Sequence, residues 1–314
     1  MATTIAARRG IGETARAHVA LTKPRIIELL LVTAVPTMFL AAEGFPTLRA
    51  TIAVLLGGAL AAGAANTFNS VYDRDIDAVM HRTTSRPAAT GRVSVRAGFI
   101  QGLILSALSV TVLTVLANAL SGLLALLAIV GYAVGYTMVL KRRTDQNIVW
   151  GGAAGCMPVL IAWSAITGSL TWTPVVLFAV IFFWTPPHYW PLAIKYRQDY
   201  QAAGIPMLPA VRGRLSVARH IVAYTWLMVA ATLALIVIVP MGWIYSIGAV
   251  VLGVAFAVQA YRLWAGIRSD RRDPNVADDD YSEASLKRAM QLFHGSISYL
   301  AVIFLLVGLD PFVV

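Results

Sequence analysis

Three polar residues stand four positions apart near the end of a long apolar stretch: Asn69, Asp73 and Asp77. Four residues turn an α-helix through ~400°, so on a helix the three side chains drift only ~40° per step and share one face. Asp75 lies roughly 200° round the helix from that face and points elsewhere. We call the aligned set Asn69, Asp73 and Asp77 the polar stripe.

The stripe offers oxygen ligands only. Two carboxylates and an amide, with no His or Cys among them, suit a hard cation such as Mg²⁺, which keeps some of its waters and bridges phosphate oxygens. Membrane proteins seldom place carboxylates at the edge of the hydrocarbon region without a use for them. The alternative is a solvated helix end whose acids merely face water, and the spacing alone does not separate these two interpretations.

The elements that position the stripe are apolar helices. Of the 314 residues, 58% are hydrophobic and 13% are charged, which is far outside the range of soluble proteins. Nine segments approach the ~20 residues that a helix needs to cross a bilayer. They lie at about 26–43, 50–71, 97–117, 119–140, 148–167, 173–194, 217–239, 242–264 and 293–312. We predict an all-α membrane protein with nine transmembrane helices, a cytoplasmic segment 1–25 and one polytopic domain 26–314.

The basic residues predict the orientation. If the predicted spans alternate sides, every Lys and Arg except Arg49 falls on the face that carries the N-terminus. This bias places the N-terminus in the cytoplasm and the C-terminus outside, in a multi-pass protein of the inner (plasma) membrane. It also accounts for the net charge of +10 without a nucleic-acid partner. Cys156 is the single cysteine, so the chain has no internal disulfide.

A short motif occurs twice in the predicted cytoplasmic loops. Residues 86–95 are Arg-Pro-Ala-Ala-Thr-Gly-Arg-Val-Ser-Val and residues 208–217 are Leu-Pro-Ala-Val-Arg-Gly-Arg-Leu-Ser-Val, identical at six of ten positions with an offset of 122 residues. The same offset aligns Lys195 with Asp73 and Asp199 with Asp77. Internal repeats in membrane folds commonly form a central site where the two halves meet. We therefore expect Lys195 and Asp199 to face the cavity of the polar stripe.

Several basic residues accompany the acids on the predicted cytoplasmic side: Lys23, Arg82, Arg86, Lys141, Arg142 and Arg143. Carboxylates that hold Mg²⁺ amid several cations indicate a polyanion that binds to both, and a diphosphate fits. The sequence has no P-loop, which argues against ATP-type phosphate binding. Basic cytoplasmic loops are also common in inner-membrane proteins, which is the alternative interpretation.

These motifs resemble those of the UbiA superfamily of intramembrane prenyltransferases. The resemblance rests on the spacing of Asn69, Asp73 and Asp77, on the nine helices and on the second acidic site after the sixth helix. Longer stretches resemble the branch of the superfamily that farnesylates haem. These stretches are residues 22–30, 73–87, 147–155, 184–190 and 199–209. The second site departs from many quinone prenyltransferases because it lacks their multiple acids.

The resemblance implies a UbiA-type helical bundle with two pseudo-repeated halves. It implies that the enzyme, in the lipid bilayer, transfers farnesyl from farnesyl diphosphate to a vinyl group of haem B, giving haem O for haem-copper oxidases. The implied Mg²⁺ ligands are Asn69, Asp73, Asp77 and Asp199, with Lys195 as a further catalytic residue. The implied diphosphate-binding residues are Lys23, Arg82, Lys141 and Arg142. The downstream haem A synthase is a candidate partner.

The acceptor pocket is expected to contain His188, Glu28, Tyr136 and Trp184. Two prolines precede His188 and are expected to open the backbone there. Glu28 lies inside the first apolar segment, and we expect it to be buried and to face the cavity or another polar group because lipid exposure of a carboxylate is costly.

Three alternatives remain at this point. A prenyltransferase of the same superfamily can act on an aromatic quinone precursor or on chlorophyllide. A secondary transporter also has repeats and polar residues at mid-membrane, although here the acids cluster at one membrane edge and the middle of the spans carries almost no charge apart from Glu28. A non-catalytic haem-binding or assembly factor has no evident use for the polar stripe.

Overall fold

A computed structural model describes residues 10–277 and 280–313, and within these ranges the structure contains helices and no β-strand. The helices are α1 Ile11–Leu21, α2 Pro24–Ala42, α3 Leu48–Tyr72, α4 Arg74–Val79, α5 Val95–Leu116, α6 Ala119–Val130, α7 Asn147–Thr167, α8 Trp172–Lys195, α9 Arg197–Ala202, α10 Leu208–Val211, α11 Arg214–Ile238, α12 Trp243–Asp270 and α13 Glu283–Leu309. A π-helical segment, Gly131–Leu140, continues α6, and a 3₁₀ turn, Asp310–Phe312, follows α13.

The apolar helices form a multi-pass integral membrane protein, as predicted. In the described residues, eight helices are long and apolar enough to cross a membrane: α3, α5, α6 with its π-helical continuation, α7, α8, α11, α12 and α13. The first expected span corresponds to α2, whose apolar part, Leu30–Ala42, is shorter. It is shorter because Arg25 and Glu28 lie in the first turns of α2. The predicted count of nine spans is reached only when α2 is included.

Small residues set the position of α3, the helix that carries the stripe. A Cβ atom at Gly102 of α5 would stand 2.6 Å from the ring of Phe68, and one at Gly57 of α3 would stand 2.6 Å from the side chain of Leu113. Membrane helices use such small residues to bring their backbones close together, because lipid offers no hydrophobic drive for association. The α3–α5 contact therefore holds both halves of α3 in place.

The stripe crosses a junction between two helices. Asp73 ends α3 and precedes α4, with φ −84° and ψ 10°. The amide of Asp73 donates to the carbonyl of Asn69 at 2.9 Å, and the amide of Asp77 donates to the carbonyl of Asp73 at 2.8 Å. Because both bonds keep the i to i−4 pattern of an α-helix, the predicted common face survives the junction.

The internal repeat is visible in the fold. In the first copy the long helix α3 is followed by the six-residue α4, and in the second copy α8 is followed by the six-residue α9. The junction residues are Asp73 and Tyr196. Tyr196 stands one residue later than the offset of the sequence motif predicts, and this shift decides which side chains of the second copy reach the site.

The α3–α5 contact gives a stability test. We expect Gly102→Leu to destabilise the protein by about 1–3 kcal/mol, because the added atoms overpack the ring of Phe68. Thermal unfolding of the purified protein in detergent measures this change. Gly131→Ala is the control, since no heavy atom lies within 4 Å of its added Cβ. An equal change in both variants would contradict the proposed packing.

Candidate functional site

The polar stripe is buried. Asp73 is fully buried, and Asp77 and Asn69 are only 2% and 3% exposed. This burial contradicts the interpretation of the stripe as a solvated helix end. Carboxylates buried in this way require partners, because an unpaired buried charge is strongly unfavourable.

Asn69 connects the stripe to two neighbouring elements. Its Nδ2 donates to Oδ2 of Asp73 at 2.7 Å and to Oγ1 of Thr137, in the π-helical segment, at 3.2 Å. Its Oδ1 accepts a hydrogen bond from Nζ of Lys23 at 2.6 Å. Lys141, directly after the π-helical segment, forms an ion pair with Oδ2 of Asp73. Two lysines from distant parts of the chain thus contact the stripe.

Lys23 is held in an unusual backbone conformation between α1 and α2. Its φ of 52° and ψ of 64° are left-handed, a region that non-glycine residues rarely adopt and that is frequent at functional sites. Burial, and then the positive charges of Arg86 and Lys141, lower the pKa of Lys23 to about 7. Burial is the larger cause of the low pKa, and the neighbouring positive charges add to it, so an anion beside Lys23 would be favoured.

Two arginines bind the acidic residues. Nη1 of Arg86 donates to both carboxylate oxygens of Asp77, at 2.8 and 2.9 Å. Arg142 donates to the two oxygens of Asp75 at 2.7 and 2.8 Å, and its Nη2 lies 3.7 Å from Oδ1 of Asp73. The hydrogen bonds from Arg142 lower the pKa of Asp75 to about 2. Asp75 therefore lies off the stripe, as predicted, and orients Arg142 toward it.

The second copy of the repeat meets the first at this site. Nδ1 of His81, which follows α4, lies 3.1 Å from Oδ1 of Asp199 in α9. Nη2 of Arg82 donates to the hydroxyl of Tyr200 at 3.2 Å, and that hydroxyl lies 2.9 Å from the hydroxyl of Tyr189. The expected placement of Asp199 and Arg82 near the first copy agrees with these contacts.

Lys195 does not reach the cluster, contrary to the prediction from the repeat. Its side chain is exposed, and its ammonium group lies 5.7 Å from the centroid of the Tyr196 ring. The reason is the later helix junction in the second copy. A shift of one residue turns a side chain by about 100° about the helix axis, which removes Lys195 from the face that Asp73 occupies in the first copy.

Two buried carboxylate oxygens lack a hydrogen-bond partner among the described residues: Oδ1 of Asp73 and Oδ2 of Asp199. Such unpaired acceptors indicate a place for an ion or ligand. In the same described ranges, no three His, Cys, Asp or Glu side chains form a group that could hold a metal ion. The oxygen donors fit Mg²⁺, which commonly completes its shell with water and phosphate oxygens.

An apolar cavity of about 130 Å³ lies next to the stripe. Asn66, three residues before Asn69, and Tyr132 of the π-helical segment line it. Its other lining residues are mostly apolar and small: Ile27, Leu30, Leu31, Ala34, Val54, Gly58, Ala61, Ala62, Ala65, Ala128, Ile129, Ala154, Gly155, Met157, Pro158 and Ile161. A polyanion site therefore adjoins a slot suited to a hydrocarbon chain. We call this slot the deep cavity.

His188 and Trp184 lie together on the side of α8 that contacts α13. The ring of His188 stacks between Trp184 and Phe293, with centroid distances of 4.1 and 4.8 Å. Nδ1 of His188 lies 2.7 Å from Oγ of Ser296, and Nε1 of Trp184 donates to the carbonyl of Ser296 at 2.8 Å. The backbone was expected to open at Pro186 and Pro187. Instead, helix α8 continues through both prolines to Lys195.

The other two expected pocket residues lie elsewhere. Tyr136 packs over Gly151 of α7, where a Cβ atom would stand 2.1 Å from the Tyr136 ring. Glu28 is exposed, contrary to the expectation that it is buried. Its position near the start of α2, before the apolar part Leu30–Ala42, explains how a carboxylate is tolerated there. No contact joins Glu28 or Tyr136 to His188 in the described structure.

Two residues of the site had no predictive signal of their own. Thr137 lies in an apolar run and Tyr200 in a short helix, so neither residue type nor spacing distinguishes them. Arg86 was expected near the acids as one of several basic residues, and the fold pairs it with Asp77.

The chain matches the family model of the UbiA prenyltransferase family over residues 30–276. It is 49% identical over 304 residues to the protoheme IX farnesyltransferase of Paenarthrobacter aurescens, covering 97% of this chain and 91% of the relative. It is also 49% identical over 314 residues to the protoheme IX farnesyltransferase of Streptomyces avermitilis, covering 99% of both chains.

Solved structures share the fold at low sequence identity. A digeranylgeranylglyceryl phosphate synthase matches with a TM-score of 0.74 and 14% identity, covering 95% of this chain and 99% of the other. A UbiA homologue from Archaeoglobus fulgidus, bound to GPP and Mg²⁺, matches with a TM-score of 0.59 and 18% identity, covering 92% of this chain and 99% of the other.

Substitutions in and beside the stripe are expected to weaken the Mg²⁺-dependent binding of inorganic diphosphate to different degrees. We expect Asp73→Asn and Asp77→Asn to lower the affinity about 100-fold or more, since each removes a charged oxygen ligand. Asp75→Asn should lower it only about 10-fold, because Asp75 acts by orienting Arg142. Titration calorimetry with and without Mg²⁺ measures these affinities. Equal losses in all three variants would contradict the assignment of the stripe.

Proposed function

Because this chain belongs to the UbiA prenyltransferase family, we propose that it transfers the farnesyl group of farnesyl diphosphate to a vinyl group of haem B, giving haem O and diphosphate. The observation that carries the proposal is the buried polar stripe, crowded by cations, beside the apolar deep cavity. The stripe and its cations suit the diphosphate, and the deep cavity suits the isoprenoid chain.

The cations of the site are placed to bind the leaving diphosphate. Lys141 is paired with Asp73, Arg86 with Asp77, and Lys23 with Asn69. Asp73 and Asp77 would hold the Mg²⁺ of a bound diphosphate, and Lys141, Arg86 and Lys23 would bind its phosphate oxygens. Preorganised cations in a water-poor site stabilise the charge that develops as the allylic C–O bond breaks.

We assign a metal-holding role to Asn69, Asp73, Asp77 and Asp199. The unpaired Oδ1 of Asp73 and Oδ2 of Asp199 support this assignment. The relative from Archaeoglobus fulgidus binds Mg²⁺ together with GPP, which also supports it. Once bound, Mg²⁺ supplies charge neutralisation on the leaving diphosphate.

The deep cavity would keep the allylic chain away from water. Its walls come from α2, α3, α6 with the π-helical segment, and α7, and among the described residues that line it, Asn66 and Tyr132 carry the polar side chains. The Tyr132 ring offers a π face to the allylic cation, since aromatic faces attract positive charge without reacting as bases. Exclusion of water protects this cation from hydrolysis.

The identity of the acceptor is supported by the relatives, which are protoheme IX farnesyltransferases at 49% identity over nearly the whole chain. A haem also needs a flat aromatic contact and an iron ligand. His188 stacks on Trp184 and Phe293, and its Nε2 makes no hydrogen bond within the described residues. We assign His188 and Trp184 to the acceptor side of the site.

We also propose the membrane orientation. The bias of Lys and Arg to one set of loops supports a protein of the inner (plasma) membrane, with the N-terminus and the site on the cytoplasmic side and the C-terminus outside. Haem O would then be passed on to a haem A synthase.

The activity is tested with purified protein, haem B, Mg²⁺ and farnesyl diphosphate. We expect the haem to gain a farnesyl chain, detected by mass analysis of the extracted pigment, and we expect a chelator of Mg²⁺ to abolish the reaction. The same assay with 4-hydroxybenzoate is the control. Prenylation of that acid with no change to the haem would retain the family and refute the haem acceptor.

The role of His188 is tested separately by spectroscopy. We expect haem B to shift its Soret band on binding, and His188→Ala to change that spectrum or lower haem affinity about 10-fold or more, in line with the loss of a metal ligand. His220→Ala is the control, because Nδ1 of His220 donates a hydrogen bond within its own helix, to the Ser216 carbonyl at 2.7 Å. Unchanged haem binding in His188→Ala would contradict this assignment.

A further inference from the structure

Helix α1 carries an apolar face that stays exposed in the described structure. Ile11, Ala15 and Val19 follow one another at intervals of four residues, so they share one side of the helix. Ile11 and Val19 are 91% and 58% exposed, and Ala15 is exposed as well. The buried residues of α1, Ala17 and Leu21, lie on a different side. We call Ile11, Ala15 and Val19 the outer face of α1.

α1 is attached to the bundle through its C-terminal half. Residues 11–16 are all exposed, and the first buried residue of the helix is Ala17. The helix has only 11 residues, and Gly10 at its N-terminus has no side chain to cap it. Helices of this length are marginal when they are surrounded by water. The N-terminal half of α1 therefore requires stabilisation from its surroundings.

The attached half of α1 lies at the depth of the membrane surface. Nδ1 of His18 lies 2.6 Å from Oε1 of Gln101, and Nε2 of Gln101 donates to the carbonyl of His18 at 3.0 Å. Gln101 belongs to the membrane-spanning helix α5, which begins at Val95, and six residues of helix rise about 9 Å. Interfacial helices bury their apolar face to a similar depth, roughly 5–10 Å into the boundary between head groups and acyl chains. The outer face of α1 is therefore placed to enter that boundary.

Cations accompany the outer face. Arg16 lies about 60° round the helix from Val19, and Arg25 and Arg96 lie at the starts of α2 and α5. All three arginines are exposed, and none forms an ion pair within the described residues. Glu13, the one acid of α1, lies on the side away from the outer face. An apolar helix face bordered by cations is complementary to a bilayer with anionic head groups.

The C-terminal end of α1 is fixed to the helix that carries the polar stripe. Leu21 is fully buried, and Nδ2 of Asn66 donates to the carbonyl of Thr22 at 3.1 Å. Lys23 follows directly, and its ammonium group donates to Oδ1 of Asn69. Because only Thr22 separates α1 from Lys23, a displacement of α1 moves Lys23 relative to the stripe.

We propose that α1 is an interfacial helix whose outer face docks into the anionic head-group layer of the bilayer, and that this docking holds Lys23 beside Asn69. The bilayer then acts as a partner that raises the affinity of the site for a diphosphate. The docking itself is independent of the proposed function. The effect on affinity rests on the proposed function, because it takes Lys23 as a diphosphate-binding residue.

The docking is tested by measuring the depth of two spin labels. Nitroxides are attached to Ala15→Cys, on the outer face, and to Glu13→Cys, on the other side of the same turn, with the buried Cys156 replaced in both proteins by Cys156→Ser. In nanodiscs that contain phosphatidylglycerol, we expect the label at position 15 to be accessible to oxygen and shielded from a water-soluble nickel chelate. The label at position 13 should show the reverse. Equal access of the chelate to both labels would overturn the proposal.

The coupling to the site is tested with Arg16→Gln. Titration calorimetry measures the Mg²⁺-dependent binding of inorganic diphosphate to protein in nanodiscs of mixed phosphatidylglycerol and phosphatidylcholine, and in nanodiscs of phosphatidylcholine alone. We expect Arg16→Gln to lower the affinity about fivefold in the mixed nanodiscs, the effect of one cation at an anionic surface, and to leave it unchanged in phosphatidylcholine. Arg219→Gln is the matched control, because Arg219 is likewise exposed and lies in the first turns of α11. This control should bind diphosphate as the wild type does in both lipids.

Two further results would contradict the coupling. An equal loss of affinity in both kinds of nanodisc would show that Arg16 acts on the diphosphate directly and not through the lipid. An unchanged affinity of Arg16→Gln in the mixed nanodiscs would show that the docking does not reach Lys23. Absence of diphosphate binding by the wild-type protein would refute the proposed function, and the depths of the two labels would still decide whether α1 docks.

Discussion

The burial of acidic oxygens at one end of a membrane bundle is the constraint on which the rest of this structure depends. Asp73 and Asp77 are almost inaccessible, and neither charge is tolerable in such a place without compensation. Lys141 and Arg86 supply it, each from a different part of the chain. The loops must therefore fold over the ends of the helices and meet, because only then do the cations reach the acids.

This compensation also makes the site chemically useful. The cations that neutralise the stripe are of the kind that a diphosphate requires, so in the proposed function binding would exchange one set of partners for another and leave few charges unpaired. Lys23 is an example of a cation held close to other cations in this site. Its low pKa reflects burial and the neighbouring positive charges, which favour an added anion. An electrostatic arrangement of this kind binds substrate and stabilises the leaving group with the same residues.

The apolar part of the site depends on small side chains. Glycine and alanine let α3 approach α5, and the same residue types line the deep cavity. Close helix packing and an internal slot thus arise from one compositional feature. The π-helical segment also contributes to the site, since it places Tyr132 at the cavity and Thr137 beside Asn69.

The sequence by itself determined the all-helical membrane fold, the common face of Asn69, Asp73 and Asp77, and the internal repeat. These features depend on hydrophobic length and on the local period of the helix, which neighbouring residues fix. Only the tertiary structure decided which distant side chains meet. The junction at Tyr196, one residue late, turns Lys195 outward, and the packing of α8 against α13 and of the π-helical segment against α7 separates His188 from Tyr136. Such outcomes depend on helix rotation and on contacts between helices, which the local pattern of residues does not encode.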